Sequence, residues 1–415
     1  MKKTFCLVII LLSAVQISHA QFRAGAAVRI VTPDPLLPVC GGVGPSNPAT
    51  RALGDLSVRA LVLSDGDTQL AIVGADFLGF PSPLCDRVRN LVKTVPRENI
   101  VIGVTHTHSA PDCYGFPDDN GNIGADLIYL NFVCRKMAEA IDEAAETAKP
   151  AVLKIATGKA AGKIAYNAYA EELYDRRCHV LQVIEKNGVP IATLVNYAIH
   201  PEVLGSDMGV LSPDLCGPLY DRIEKNGGGL AIFMNSAQGG MVTADCRGAD
   251  GRDVQMWDEC VRIGTLLADE AQRIVKTAPV QEHPRLFCTS KRISFPVESP
   301  VVRQVLRVSP IVAEMGENDR ITTQVHLLNI GNAQILTIPG EALPNIGFYL
   351  KRKMNGEHNF LFGLTNDGLG YILTRVDWNS FERYDYITRI CLGEMTGEIF
   401  IEEALELVEA SPPAK

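Results

Sequence analysis

The stretch NIVIGVTHTHSAPD, residues 99–112, begins as an apolar β-branched run and ends in two histidines one residue apart. The run from Ile100 to Val104 reads as a short strand covered on both faces, as strands inside α/β layers are. If the extended conformation continues, His106 and His108 point to the same side. Two imidazoles at a strand end suit a single metal ion, and imidazole is a common zinc ligand. Two hydrogen-bonded histidines at a sheet edge are the alternative.

The design recurs along the chain. NYAIHPEVLG (196–205) is an apolar strand with His200 at its end, followed by proline. NIGNAQILTIPGEALPNIG (329–347) ends a strand in Pro339-Gly340-Glu341, which leaves a carboxylate either solvated or aimed into a cleft. FLFGLTNDGLGYILT (360–374) puts Asn366, Asp367 and Tyr371 after an apolar run. FMNSAQGGMVTAD (233–245) carries Gly239 and Gly240, which permit unusual torsions or close approach to a ligand. Residues placed just beyond strand termini are where α/β sheets carry function.

Further strands are expected at 56–65, 69–80, 151–158, 178–200 and 230–240, with Asn187-Gly188 marking a hairpin. Helical periodicity covers 127–148, 253–278 and 397–410. Strands mixed with long helices predict an α/β fold, a single large catalytic domain over 21–415 built from mixed β-sheets flanked by helices in α-β-β-α layers.

Composition narrows the function. A formal net charge of −9, with no compensating basic run, argues against nucleic acid as a partner. MKKTFCLVIILLSAVQISHA (1–20) has the lysines, short apolar core and small residues of a signal peptide, so the mature chain is expected to start at Gln21 and to be periplasmic or extracellular. No later segment is apolar enough to span a membrane. Ten scattered cysteines follow it without a C-x-x-C pair, so a zinc-thiolate knuckle is not indicated. They are open to disulfide pairing after export or to burial as small hydrophobes.

Taken in order, AGAAVRIVTPD (24–34), THTHSAP (105–111), AIHP (198–201), LSPDLCGPLY (211–220), IPGEALPNIG (338–347) and GYILT (370–374) resemble the neutral/alkaline ceramidases, secreted zinc amidases that cleave the N-acyl bond of ceramide. The resemblance implies Zn2+ held by His106, His200, Glu341 and Tyr371. His108 would face the substrate or the transition state, with Tyr371 and Tyr384 assisting proton transfer and oxyanion stabilisation. Asn167, Gly239 and Gly240 would contact substrate, and Asp76 and Asp214 would orient the ligands from behind.

Three departures bear on substrate recognition. The family's G-D-x-S-P serine has no counterpart in Gly239-Gly240-Met241-Val242-Thr243-Ala244, where Thr243 is the approximate substitute. An expected Asn-Arg pair reads Asn167-Ala168. A C-terminal immunoglobulin-like module of the long ceramidases is not expected here. The function implied is hydrolysis of an N-acyl amide, with a small-molecule or lipid substrate. The competing readings are hydrolysis of another amide or ester, a TIM-barrel amidohydrolase whose H-x-H binds metal with both histidines, and an exported binding protein without catalysis.

Overall fold

The computed structural model describes residues 21–118 and 120–415, so the expected signal peptide lies outside the described residues. The run that opens NIVIGVTHTHSAPD is strand Ile100–Val104, buried at every position. Its side chains alternate between two apolar layers: Ile100, Ile102 and Val104 join one cluster, Val101 another. The neighbouring strands Gln69–Ala75 and Ser57–Ser64 keep the same parity, with Val58, Ala60, Val62, Ala71 and Val73 on the first side and Leu61, Leu63, Leu70 and Ile72 on the second. A side-chain period of two with both faces covered explains why these segments read as continuous hydrophobic runs.

The main sheet runs in space as Leu230–Asn235, Pro190–Tyr197, Arg177–Glu185, Lys149–Lys159, Arg23–Ile30, Ser57–Ser64, Gln69–Ala75 and Ile100–Val104, with Val280–Gln281 added beside Lys149–Lys159. Its two end pairs are parallel and the pairs between are antiparallel. The hairpin expected at Asn187-Gly188 joins Arg177–Glu185 to Pro190–Tyr197, with Gly188 at φ +93°. This open, mostly antiparallel path overturns the TIM-barrel reading, which needs eight parallel strands closed by regular helical crossovers.

A second sheet, Leu286–Pro296, Arg320–Ile330, Ala333–Thr337 and His358–Phe362, packs face to face on the first. Leu286, Leu328, Ile330, Ile335, Phe360 and Phe362 interleave with Leu61, Leu153, Ile155, Leu181 and Leu194 in one core. Each fully buried side chain of this size contributes about 1.5–3 kcal/mol relative to exposure. Helices cover the outer faces. Leu127–Glu146 and Ser82–Leu91 lie over one half of the main sheet, and Cys216–Lys225 and Trp257–Val275 over the other. Pro344–Lys353 and Thr396–Glu409 lie over the second sheet. The fold is thus a mixed α/β arrangement in α-β-β-α layers.

Local physics sets the helix ends. The Asp126 carboxylate accepts from the N–H groups of Ile128 and Tyr129 and starts the helix at Leu127. The helix expected from 253 begins instead at Trp257, because Asp253 is held in a bridge with Arg247 and Met256 is extended. The cysteines form no disulfide among the described residues, and all but Cys288 are buried. No helix among those residues is long and apolar enough to cross a membrane.

Candidate metal centre and cavity

His106, His200, Glu341 and Tyr371 each follow a strand, two from the main sheet and two from the second, and meet where the two sheets end together. The strand before His106 does not continue as the sequence predicts. Extended backbone stops at Val104, and His106 takes φ +71°, a left-handed conformation rare for residues with a Cβ. The two histidine side chains therefore converge through a kinked loop rather than by strand alternation. The loop is held down by Thr105 N to Ala75 O (2.9 Å) and His106 N to Phe77 O (3.0 Å).

The imidazoles are oriented from behind. His106 Nδ1 lies 2.5 Å from the Leu78 carbonyl and His200 Nδ1 lies 2.8 Å from the Val242 carbonyl. A carbonyl only accepts, so both rings are protonated at Nδ1 and turn Nε2 toward the site. Those two Nε2 atoms face the same oxygen, Glu341 Oε2, at 3.4 and 3.1 Å. Two imidazole nitrogens and a carboxylate oxygen converge on one buried point. Positive charge holds such a set together, as a proton on Nε2 or as a metal ion, and a divalent ion with N and O ligands fits it.

Without the ion, the electrostatics express the same need. Burial alone would lower His200, but its Glu341 hydrogen bond and the charges of Glu202 and Glu341 outweigh this and raise it to about 9. Burial would raise Glu341, yet His106 and His200 hold it far below the ordinary carboxylate range. His108 completes a buried group of three, since the ligand atoms of His106, His108 and His200 all lie within 4.8 Å of one another. These three could hold a metal ion. Burial pushes His108 down to about 4 despite the facing Glu202 carboxylate.

Glu341 and Tyr371 are register partners in a two-stranded parallel ribbon, which fixes their spacing. The Tyr371 hydroxyl donates to Met241 Sδ at 3.5 Å, and burial raises this phenol well above its usual range. Gly239 lets the chain pack against the backbone of Glu341: a Cβ there would lie 2.2 Å from the Glu341 carbonyl oxygen. Gly240 turns the chain at φ +69°.

The remaining sequence-predicted residues are distributed differently. Thr243 forms a backbone bridge with His200. The Asn167 side chain is engaged within its own loop, donating to Leu173 O and accepting from the N–H groups of Tyr169 and Ala170. Asp76 accepts from Ser57 N and Oγ and from the Tyr220 hydroxyl, on the helix side of the sheet rather than against a histidine. Asp214, at φ +53°, ties down Leu204 and Leu215 in the loop after His200. Tyr384 stacks on Tyr169 (5.4 Å between centroids), whereas Tyr386 lines the cavity beside the histidines.

Two structural residues were not singled out from the sequence. Asn235, at the end of its strand, donates to Thr105 O (2.9 Å) and Ile199 O (2.7 Å), linking the two histidine loops. Glu202, two residues after His200, faces His108 Nδ1 at 3.7 Å. A polar residue inside the apolar run LAIFMN was the available signal for the first.

The site opens into a solvent-connected cavity whose walls are largely apolar. His106, His108, Glu341, Tyr371 and Tyr386 line it. So does helix Pro300–Val308, which has no buried residue of its own and contributes Val301, Val302, Val305 and Leu306 to the lining. Asp367, near the Ser82 helix start, also lines it, with its carboxyl raised by burial.

No family model and no curated protein sequence matches the chain. Solved structures do. The crystal structure of neutral ceramidase from Pseudomonas aeruginosa superposes with a TM-score of 0.75 at 16% identity, over 95% of this chain and 76% of that one. A ceramidase complexed with C2 gives 0.73 at 16% identity, over 95% and 77%. The chain therefore has the fold of the neutral ceramidases over nearly its whole length.

Proposed function

We propose that the chain is an exported, zinc-dependent hydrolase of an N-acyl amide bond, acting on a lipid of the ceramide type. One observation carries the reading: the convergence of His106 Nε2, His200 Nε2 and a Glu341 oxygen at the wall of an apolar cavity. Both solved neighbours are described as ceramidases, which is consistent with it.

His106 and His200, through Nε2, with Glu341 and Tyr371, would hold the ion. When bound, zinc supplies Lewis acidity to the scissile carbonyl and brings the pKa of the attacking water to about 7. The protein's own residues do the rest. Burial keeps the Tyr386 phenol protonated, pushed up to about 12, so it remains a donor toward a developing oxyanion beside Tyr371. Tyr386 takes the place that the sequence offered to Tyr384. His108, lining the same cavity, handles a proton of the reacting water or amine. The valines and Leu306 of helix Pro300–Val308 receive the acyl or amine tail and exclude water.

The test is a panel of N-acyl substrates, from ceramides to N-acyl amino acids and sugars. Turnover abolished by chelator and by His106→Ala supports the hydrolase. Failure to hydrolyse any amide or ester would leave a binding protein on the same fold.

A further inference from the structure

Glu202 stands beside the reactive groups without being one of the expected metal ligands. Its carboxylate lies 3.7 Å from His108 Nδ1. The backbone holds this pair in place: His108 N donates to Pro201 O (3.1 Å) and Glu202 N to His200 O (3.0 Å). On the other side of the ring, His108 Nε2 is buried and has no hydrogen-bond partner among the described residues. His108 offers a ring nitrogen within 4.8 Å of ring nitrogens of His106 and His200, and it lines the cavity.

The two ring nitrogens of a neutral histidine differ: one donates and the other accepts. A lone pair on Nδ1 would face the Glu202 carboxylate across 3.7 Å, like charge against like. A proton on Nδ1 turns the same contact into an attraction.

We infer that Glu202 is a positioning residue: it keeps the proton of His108 on Nδ1 and so presents Nε2 to the cavity as an acceptor. This rests on the hydrolase reading and sharpens it. His108 then serves as a proton acceptor rather than as a donor to the oxyanion, a role left to the tyrosines.

The experiment is long-range 15N–1H correlation of the histidine rings in the zinc-loaded protein, with His108 assigned through His108→Gln. The wild type is expected to show His108 protonated at Nδ1. Glu202→Ala is expected to shift that proton wholly or partly to Nε2 and to lower kcat roughly 10–100-fold, the range for losing a partner that orients a site histidine, with KM and zinc content near wild type. Glu202→Gln, whose amide oxygen still accepts from Nδ1–H, is expected to keep the tautomer and most of kcat. A wild-type His108 protonated at Nε2, or a tautomer unchanged in Glu202→Ala, would overturn the inference. The ring spectra decide this even if no N-acyl substrate is turned over, an outcome that would remove only the hydrolase reading.

Discussion

His200 presents Nε2 to Glu341 Oε2 at 3.1 Å while its Nδ1 is committed to the Val242 carbonyl. Without an ion the contact is held by a proton on Nε2, which is why His200 is raised to about 9, and a bound metal ion takes the place of that proton. Glu341→Gln replaces the anionic oxygen with a neutral amide of nearly the same shape. Its expected effect is a loss of zinc affinity of at least about 10–100-fold with the fold intact, as for removing a ligand or its close support. Zinc titration followed by calorimetry measures it.

Gly239 and Glu341 are packed backbone to backbone, and a methyl at 239 would lie 2.2 Å from the Glu341 carbonyl oxygen. Gly239→Ala must push the carboxylate-bearing turn away. The expected cost is about 1–3 kcal/mol of stability, typical of overpacking, together with weakened zinc binding. Denaturant unfolding and metal content report the two effects, and an unaffected metal site would refute the link.

Asn235 spans the loops of His106 and His200. Asn235→Ala leaves two buried carbonyls without donors, at about 1–3 kcal/mol each. The variant is expected to lose a few kcal/mol and to bind zinc less tightly, because the two ligand loops are no longer tied. Apo and zinc-loaded unfolding curves separate these contributions.

The helix Pro300–Val308 forms one wall of the cavity without burying any residue of its own. Val305→Asp places a charge against the expected path of an acyl chain. Since each buried methylene is worth about 0.8 kcal/mol, KM should rise by roughly tenfold or more for long-chain N-acyl substrates and little for acetyl ones. An equal loss with both would show that this wall does not read chain length.

Acid stability has a separate source in the second sheet. His326 is fully buried, with Nε2 at 3.0 Å from the Glu98 carbonyl and Nδ1 at 3.0 Å from Asn366 Nδ2, and burial lowers it to about 3. Because its folded pKa lies below the ordinary 6.5, its stabilising contribution is complete above pH 6.5 and is lost as pH falls from there toward 3. Protonation also disturbs Asn366, whose Oδ1 accepts from Ile102 N in the strand leading to His106. Melting temperature should therefore fall between pH 6.5 and 4, and His326→Gln should flatten that slope while lowering stability at pH 7.

The strands and long helices were legible because their side chains obey a period of two or 3.6 in layers buried on both sides, as at Ile100–Val104 and Leu127–Glu146. Helix Pro300–Val308 escaped notice although its signals are present: Ser299 caps it before Pro300, and Val301, Val302, Val305 and Leu306 recur at helical spacing over nine residues. The positions of His106, His108, His200, Glu341 and Tyr371 at strand exits could be read directly. Their convergence could not, because it depends on the left-handed turn at His106 and on two sheets ending at one place. Glu202 and Asn235 were missed for a related reason. Each acts across the fold, on His108 and on Thr105 and Ile199, and no local period encodes such pairings. Tyr386 and Tyr384 are two residues apart, and only the packing of the loop against Tyr169 distinguishes which one lines the cavity.

The central claim is that His106, His200 and Glu341 hold one zinc ion. Anomalous diffraction at the zinc edge, from crystals grown without added chelator, tests it most directly. One peak is expected about 2.0–2.2 Å from His106 Nε2, His200 Nε2 and a Glu341 oxygen, with the Tyr371 hydroxyl as the remaining protein ligand. No peak there in zinc-replete crystals, or an ion bound by His106, His108 and His200 with Glu341 turned away, would contradict it.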